Sequence, residues 1–164
     1  MKSLLRYLYI IITLFLIHSC GSSAYTAKIA SINSLIESLE FEIEHDWVSP
    51  LGGPRIYIMD NPNFIRFKND SVNLFLPFFG ERFSGGGYNN QGGIVYEGPL
   101  NNFEILDGDK NTRIIKFRTK QSSETLDFSI NIFPEGNVTT RVNSTERSFI
   151  SYQGRIKELE ERDE

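Results

Sequence analysis

Histidine, cysteine and paired carboxylates carry much of enzyme chemistry, and this sequence is poor in the first two. It holds two histidines, His18 and His45, and one cysteine, Cys20. A Ser-His-Asp triad would have to use His45, and no Gly-x-Ser-x-Gly turn occurs to present a serine to it. Glu42, Glu44, His45 and Asp46 offer metal-type ligands. In an extended strand, however, the three carboxylates share the face opposite the imidazole, and the ligands diverge. The reading is no metal, no cofactor and no assigned catalytic residue, with His45 a half-buried or edge histidine. Two carboxylates distant in sequence could still meet and hydrolyse a glycosidic bond. The acidic residues fall mostly on polar strand faces, in turns and in the C-terminal run, where solvation accounts for them.

A second kind of chemistry, binding, is suggested by the segment from Pro77 to Gly93. It holds six glycines and four aromatics between two strand patterns, and a connection this long in a small domain is more often functional or mobile. No Gly-Lys-Ser or Gly-Lys-Thr follows, so the glycines do not form a phosphate cradle. Phe78, Phe79, Phe83 and Tyr88 either cap one end of the core, with Gly80 making the bend, or line a groove that meets a ligand or partner, with Arg82 and Tyr88 as polar handles. The candidate contact set is therefore Phe78, Phe79, Gly80, Arg82, Phe83 and Tyr88.

Cys20 carries a different chemistry. Lys2 and Arg6 precede an apolar run, Tyr7 to Ile17, that is too short to span a bilayer, which reads as a signal peptide over residues 1–19. Ile17-His18-Ser19-Cys20-Gly21 resembles a bacterial lipobox, with His18 unusual at its middle position. Cleavage there would expose the only cysteine as a new N-terminus, and a lone thiol in an exported chain is explained by lipidation. A diacylglycerol thioether plus an N-acyl group would give stable anchoring. Residues 20–25 then form a lipidated tether, and the membrane is a partner through the lipid on Cys20.

The elements that must position these residues are legible from periodicity. The chain has 164 residues, 40% hydrophobic and 13% aromatic, with a net charge of -4; removal of residues 1–19 leaves 145 residues and a net charge of -6. That size suits one core, and the acidity argues against nucleic acid as a partner. Ile29, Ile32, Ile36 and Leu39 make one stripe of a helix over Thr26 to Glu40. The period then changes to two: Phe41, Ile43, His45 and Trp47 alternate with acidic residues. Further strands read at Arg55 to Asp60, around Ile65 and Phe67, at Val72 to Leu76, Gly93 to Glu97, Phe103 to Leu106, Thr112 to Thr119, Leu126 to Ile132, Val138 to Val142 and Phe149 to Ile156. Asn69-Asp70, Asp107-Gly108-Asp109 and Pro134-Glu135-Gly136-Asn137 supply turns.

The expected fold is mainly β, an antiparallel sandwich or open barrel of about eight strands with one N-terminal helix packed on it. The β-rich domain would run over residues 26–157, with a charged tail at 158–164. Lys110, Lys116, Arg118 and Lys120 share the even-numbered face of one strand, which reads either as a solvated face that discourages edge pairing or as a surface for anionic envelope components.

Several motifs fit together as a family. Trp47 with Pro50 and Gly53, Leu76-Pro77-Phe78-Phe79-Gly80, Gly92-Gly93-Ile94, and Arg147-Ser148-Phe149-Ile150-Ser151-Tyr152-Gln153-Gly154 resemble an uncharacterised domain-of-unknown-function family of exported Bacteroidota proteins. The family's central motif is usually Leu-Pro-Tyr-Phe-Gly, from which Phe78 departs by one hydroxyl. The resemblance covers about residues 35 to 157. It implies a mostly antiparallel β domain in the cell envelope and implies no activity. The residues after Cys20 lack an early acidic cluster of the kind that resembles surface-export signals, which points to an outer-membrane lipoprotein facing the periplasm.

The functional expectation is a non-catalytic, lipid-anchored envelope domain that binds an envelope protein, a glycan or an apolar ligand through the loop at 77–93. Two rivals predict distinct structures. A glycan or peptide hydrolase needs two facing carboxylates, and a periplasmic lipid carrier needs an apolar cavity inside the sheet.

Overall fold

The computed structural model describes residues 21–83 and 92–159. Helix α1 (Gly21–Ser38) leads into strands β1 (Glu40–Pro50), β2 (Ile56–Tyr57), β3 (Phe64–Lys68), β4 (Ser71–Pro77), β5 (Gly93–Pro99), β6 (Asn101–Asp107), β7 (Arg113–Gln121), β8 (Glu124–Ile132), β9 (Asn137–Ser144) and β10 (Ile150–Glu158). The helix begins five residues before the expected Thr26, so residues 21–25 of the expected tether are part of it. It stops at Ser38, because Leu39 turns left-handed (φ 52°). The Ser38 hydroxyl donates to the Leu35 carbonyl at 2.7 Å and accepts from the Glu40 amide at 3.2 Å, which satisfies groups that the helix end leaves open. Of the apolar stripe, Ile32 and Ile36 are buried. Strand β10 likewise runs one residue past the expected domain end, pairing Glu158 with Phe41.

All the ladders are antiparallel, and the sheet runs β5-β4-β3-β1-β10-β9-β8-β7-β6 with β2 paired to β1. Alternating directions along a path of nine strands give its two ends, β5 and β6, the same direction. Only Leu100 separates them, so they are halves of one strand whose first half pairs with β4 and whose second half pairs with β7. The bend falls at Gly98-Pro99, followed by Asn102 at φ 50° and a register shift between Asn101 and Glu104. Counted this way, eight strand positions close into a nearly complete meander barrel, with β10 returning to β1.

Apolar residues alternate inward. Phe41 (β1), Phe67 (β3), Phe117 (β7) and Phe128 (β8) form a chain of ring contacts across the interior, with centroids 4.6, 5.6 and 4.5 Å apart in turn. At the helix end of the barrel, α1 lies over the opening; a Cβ placed on Gly136 in the β8–β9 turn would sit 3.3 Å from the Ile32 side chain. The outer wall carries exposed Lys116, Arg118, Arg141, Gln153 and Arg155. Apolar inside and polar outside is the reverse of a transmembrane barrel, and no described helix is long and apolar enough to cross a membrane.

Three expectations are corrected by this geometry. Trp47 does not join Phe41, Ile43 and His45 on the core face, because a bulge at Asp46 shifts the register between His45 and Trp47; Val48 turns inward and Trp47 outward. The strand expected over Arg55 to Asp60 shrinks to Ile56–Tyr57, since Ile58 bonds the Asp46 carbonyl through its amide and the chain then turns through Asn61. Lys110 sits in a 3-10 turn at Asp109–Asn111, off the strand, and β7 has neighbours on both sides, so its remaining cations guard no edge.

The bulge depends on Gly154 opposite it, where any Cβ would overlap the Glu44 carbonyl oxygen and lie 2.5 Å from the His45 Cα. Gly154→Ala is expected to cost about 3 kcal/mol or more, as overpacking against backbone does. Gly92→Ala, with open space around it, should stay within about 0.5 kcal/mol of the parent. Urea unfolding of both variants checks the pair.

Candidate functional site

At the barrel end opposite the helix, the chain leaving β4 crosses the mouth and is tied to the segment that enters β10. The side chain of Tyr152, buried inside the barrel, donates to the Pro77 carbonyl at 2.8 Å. Burial pushes its hydroxyl well up, so it remains a neutral donor. Phe78 packs half-buried on the core, with the Arg147 guanidinium 5.2 Å from its ring. Gly80 has no room for a side chain, since a Cβ would overlap the Ser148 hydroxyl and lie 2.7 Å from the Phe78 ring. The Ser148 amide donates to the Glu81 carbonyl (2.9 Å) and its hydroxyl accepts from the Glu81 amide (3.0 Å). Arg82 pairs its backbone with Arg147 in an antiparallel bridge, and the Phe83 amide donates to the Glu146 carbonyl at 2.7 Å.

Beneath this crossing lies an ion cluster. Arg147, 8% exposed, grips Glu124 with two bonds, Nε to Oε1 at 2.7 Å and Nη2 to Oε2 at 2.9 Å, and donates a third to the Gly93 carbonyl at 2.9 Å. Ser144 donates to Glu124 and Ser123 to Glu146, both at 2.6 Å. Arg82 Nη2 lies 3.6 Å from Glu124 and 3.8 Å from Glu146. Burial alone would raise the Glu124 pKa, but hydrogen bonds from Arg147 and Ser144 and the charges of Arg147 and Arg82 outweigh it and hold the carboxyl below the usual range.

Two carboxylates thus lie close together beside the candidate loop, which sequence reasoning placed on solvated faces. A glycosidase acid needs a raised pKa to hold its proton, and Glu124 is shifted the other way. Its chemistry is that of a latch. The groups are drawn from residues 82, 123–124 and 144–147, and no local spacing joins them; the available signal was the Leu-Pro-Phe-Phe-Gly and Arg-Ser-Phe motifs themselves, which here contact each other.

The structure brings Phe78, Gly80 and Arg82 into the latch, and leaves Phe79 and Phe83 44% and 67% exposed at its outer surface. Tyr88 and Cys20 lie outside the described residues. His45 is neither half-buried nor at an edge: it is 1% exposed inside the barrel, with Nε2 2.9 Å from the Thr140 hydroxyl and its ring 5.4 Å from that of Tyr152. Burial drives its pKa down to about 3, against a smaller opposing contribution from Asn63. Asn63 also clasps the backbone there, accepting from the His45 amide and donating to its carbonyl. Glu42 faces the other side of β1, near-buried between Arg66 and Lys157.

Fold and site together define a nearly closed antiparallel β-barrel domain with a helix over one end and an arginine–carboxylate latch at the other. The chain belongs to the DUF4251 family, a domain of unknown function, whose sequence pattern matches residues 24–156. A solved structure of a DUF4251 family protein from Bacteroides eggerthii DSM 20697 is similar at 13% identity, with a TM-score of 0.61 over 80% of this chain and 88% of that one. No curated protein matches this sequence.

The latch and the buried histidine each have a measurable consequence. Glu124→Leu strands the buried Arg147 charge and should cost about 3 kcal/mol, of which the double variant Glu124→Leu/Arg147→Met should recover most; equal stability of the two in urea unfolding would refute the latch. For His45 the folded-state pKa lies below the unfolded one, so its stability contribution is complete above pH 6.5 and is lost as pH falls toward 3. The slope should approach about 1.4 kcal/mol per pH unit. His45→Gln should remove that slope between pH 6 and 4 in pH-dependent unfolding.

Proposed function

We propose that this protein is a lipid-anchored, non-catalytic binding domain of the cell envelope, held at the outer membrane through Cys20, facing the periplasm, and meeting an envelope partner with the mouth that carries Phe79 and Phe83. One observation carries the reading: two large apolar side chains stand in solvent on a crossing segment that a buried ion cluster fixes in place. A rigid display of exposed phenylalanines is an interaction feature and not a packing one. Arg82 holds the platform, so the contact itself falls to the phenylalanines.

The nearby titratable groups support a binding role over a hydrolytic one. Glu124 is engaged by arginine and serine donors, and His45 is sealed within the core. Anchoring fits the sequence before α1.

Native purification from the envelope, with intact-mass measurement, tests both halves. The expected result is a chain beginning at Cys20 with diacylglyceryl and acyl mass, and crosslinks from a probe at the exposed position 81 to one recurrent envelope component. Phe79→Ala/Phe83→Ala should abolish those crosslinks while leaving Tm within about 2 °C. An unmodified Cys20 overturns the anchor, and undiminished crosslinking by the double variant overturns the mouth.

A further inference from the structure

The barrel wall holds a concavity, away from the mouth, where the bulge in β1 turns the chain's single tryptophan outward. The groove has a volume of about 240 Å³ and is lined by Asp46, Trp47 and Arg55 on one side, Gln153 and Arg155 on its floor, and Asn137 and Phe133 toward the far side. Outside the core, Trp47 packs edge-on against Tyr57 with ring centroids 5.0 Å apart, and three features of the groove go beyond that contact. Without the bulge, Trp47 would follow Phe41, Ile43 and His45 into the core. The bulge re-aims it, at the cost of a position opposite where only glycine fits, and bulges of this kind recur beside functional sites. Arg55 and Arg155 have no carboxylate partner among the described residues; the Arg55 guanidinium lies over the Trp47 ring at 4.2 Å. Phe133, on the opposite rim, is 37% exposed.

From this juxtaposition we infer that the groove is a binding site for an acidic saccharide, its sugar ring against the Trp47 and Phe133 walls and its carboxylate on Arg55 and Arg155. Asn137, Gln153 and Asp46 offer the alternating donors and acceptors that vicinal hydroxyls require. A planar guanidinium matches a carboxylate with two parallel bonds, and a pair of them without carboxylate partners among the described residues gives the site its anion preference. Strand addition by a peptide is disfavoured, because β1, β10 and β9 are each paired on both sides at this point and β2, which pairs with β1 alone, is only two residues long. Nucleic acid is disfavoured because the lining carries two cations, Arg55 and Arg155, too few to follow a phosphate backbone. The volume suits one ring of a longer chain whose remainder runs along the wall, in keeping with its small size beside ligand pockets of about 300–1,000 Å³.

Trp47 is the only tryptophan, so intrinsic fluorescence reads the groove directly. The purified protein is titrated with trigalacturonate, a hyaluronan tetrasaccharide, methyl-esterified trigalacturonate and hexaglutamate. At least one of the two acidic saccharides is expected to give a saturable change in emission, with the neutral ester about tenfold weaker and Arg55→Gln and Arg155→Gln each weakening binding by about tenfold. Phe83→Ala at the mouth should leave the titration unchanged, which separates this site from the one proposed above. The inference is overturned by the absence of a saturable change with either acidic saccharide up to about 10 mM. It is equally overturned by binding of the ester as tight as that of the acid, by arginine variants that bind normally, or by hexaglutamate binding as tightly as the saccharides.

Discussion

Contact among four phenylalanine rings across the barrel interior is the constraint on which the rest of this structure depends. Phe41 and Phe67 come from one wall and Phe117 and Phe128 from the opposite one, so the ladders on both sides are pulled to a common core. A closed eight-position barrel has just enough interior for side chains to fill. The four rings and the other buried apolar side chains lie inside it, while the candidate binding features lie on the wall and at the mouth.

Both ends of the barrel are then closed by different physics. At one end α1 lays Ile32 and Ile36 over the opening, a purely apolar seal. At the other the closing segment is polar backbone, and its carbonyls and amides are met one by one by Tyr152, Ser148 and Arg147. Burying Arg147 and Glu124 requires each to satisfy the other, and the two-bonded geometry does so while fixing where Phe79 and Phe83 emerge. The two most distinctive motifs of the sequence are thus the two halves of one joint. The departure to Phe78 suits its half-buried place under Arg147, where the ring face meets the guanidinium.

The bulge in β1 links the interior to the wall. His45 enters the core immediately before it and Trp47 leaves immediately after it, with Asn63 clasping the backbone at the reversal. A single added residue therefore decides that the imidazole is sealed and neutral while the indole turns outward to pack beside Arg55 and Tyr57.

Much of the fold was legible in the sequence because strand periodicity is a local property: successive side chains must point to opposite faces, so Leu126, Phe128, Ile130 and Ile132 declare a half-buried strand without reference to any partner. The same locality made the Ile32 and Ile36 stripe readable as a helix. What only the tertiary structure decided depends on residues far apart in the chain. The bent strand from β5 to β6 looks like two strands until its two halves find β4 and β7. The bulge at Asp46 is invisible until Gly154 lies opposite, and the outward turn of Trp47 with it. Glu124 and Glu146 read as solvated acids until Arg82 and Arg147 reach them across the mouth. Side-chain alternation is dictated by the backbone of each segment alone, whereas closure, bulges and ion pairing are energies of juxtaposition that exist only once distant segments share the same space.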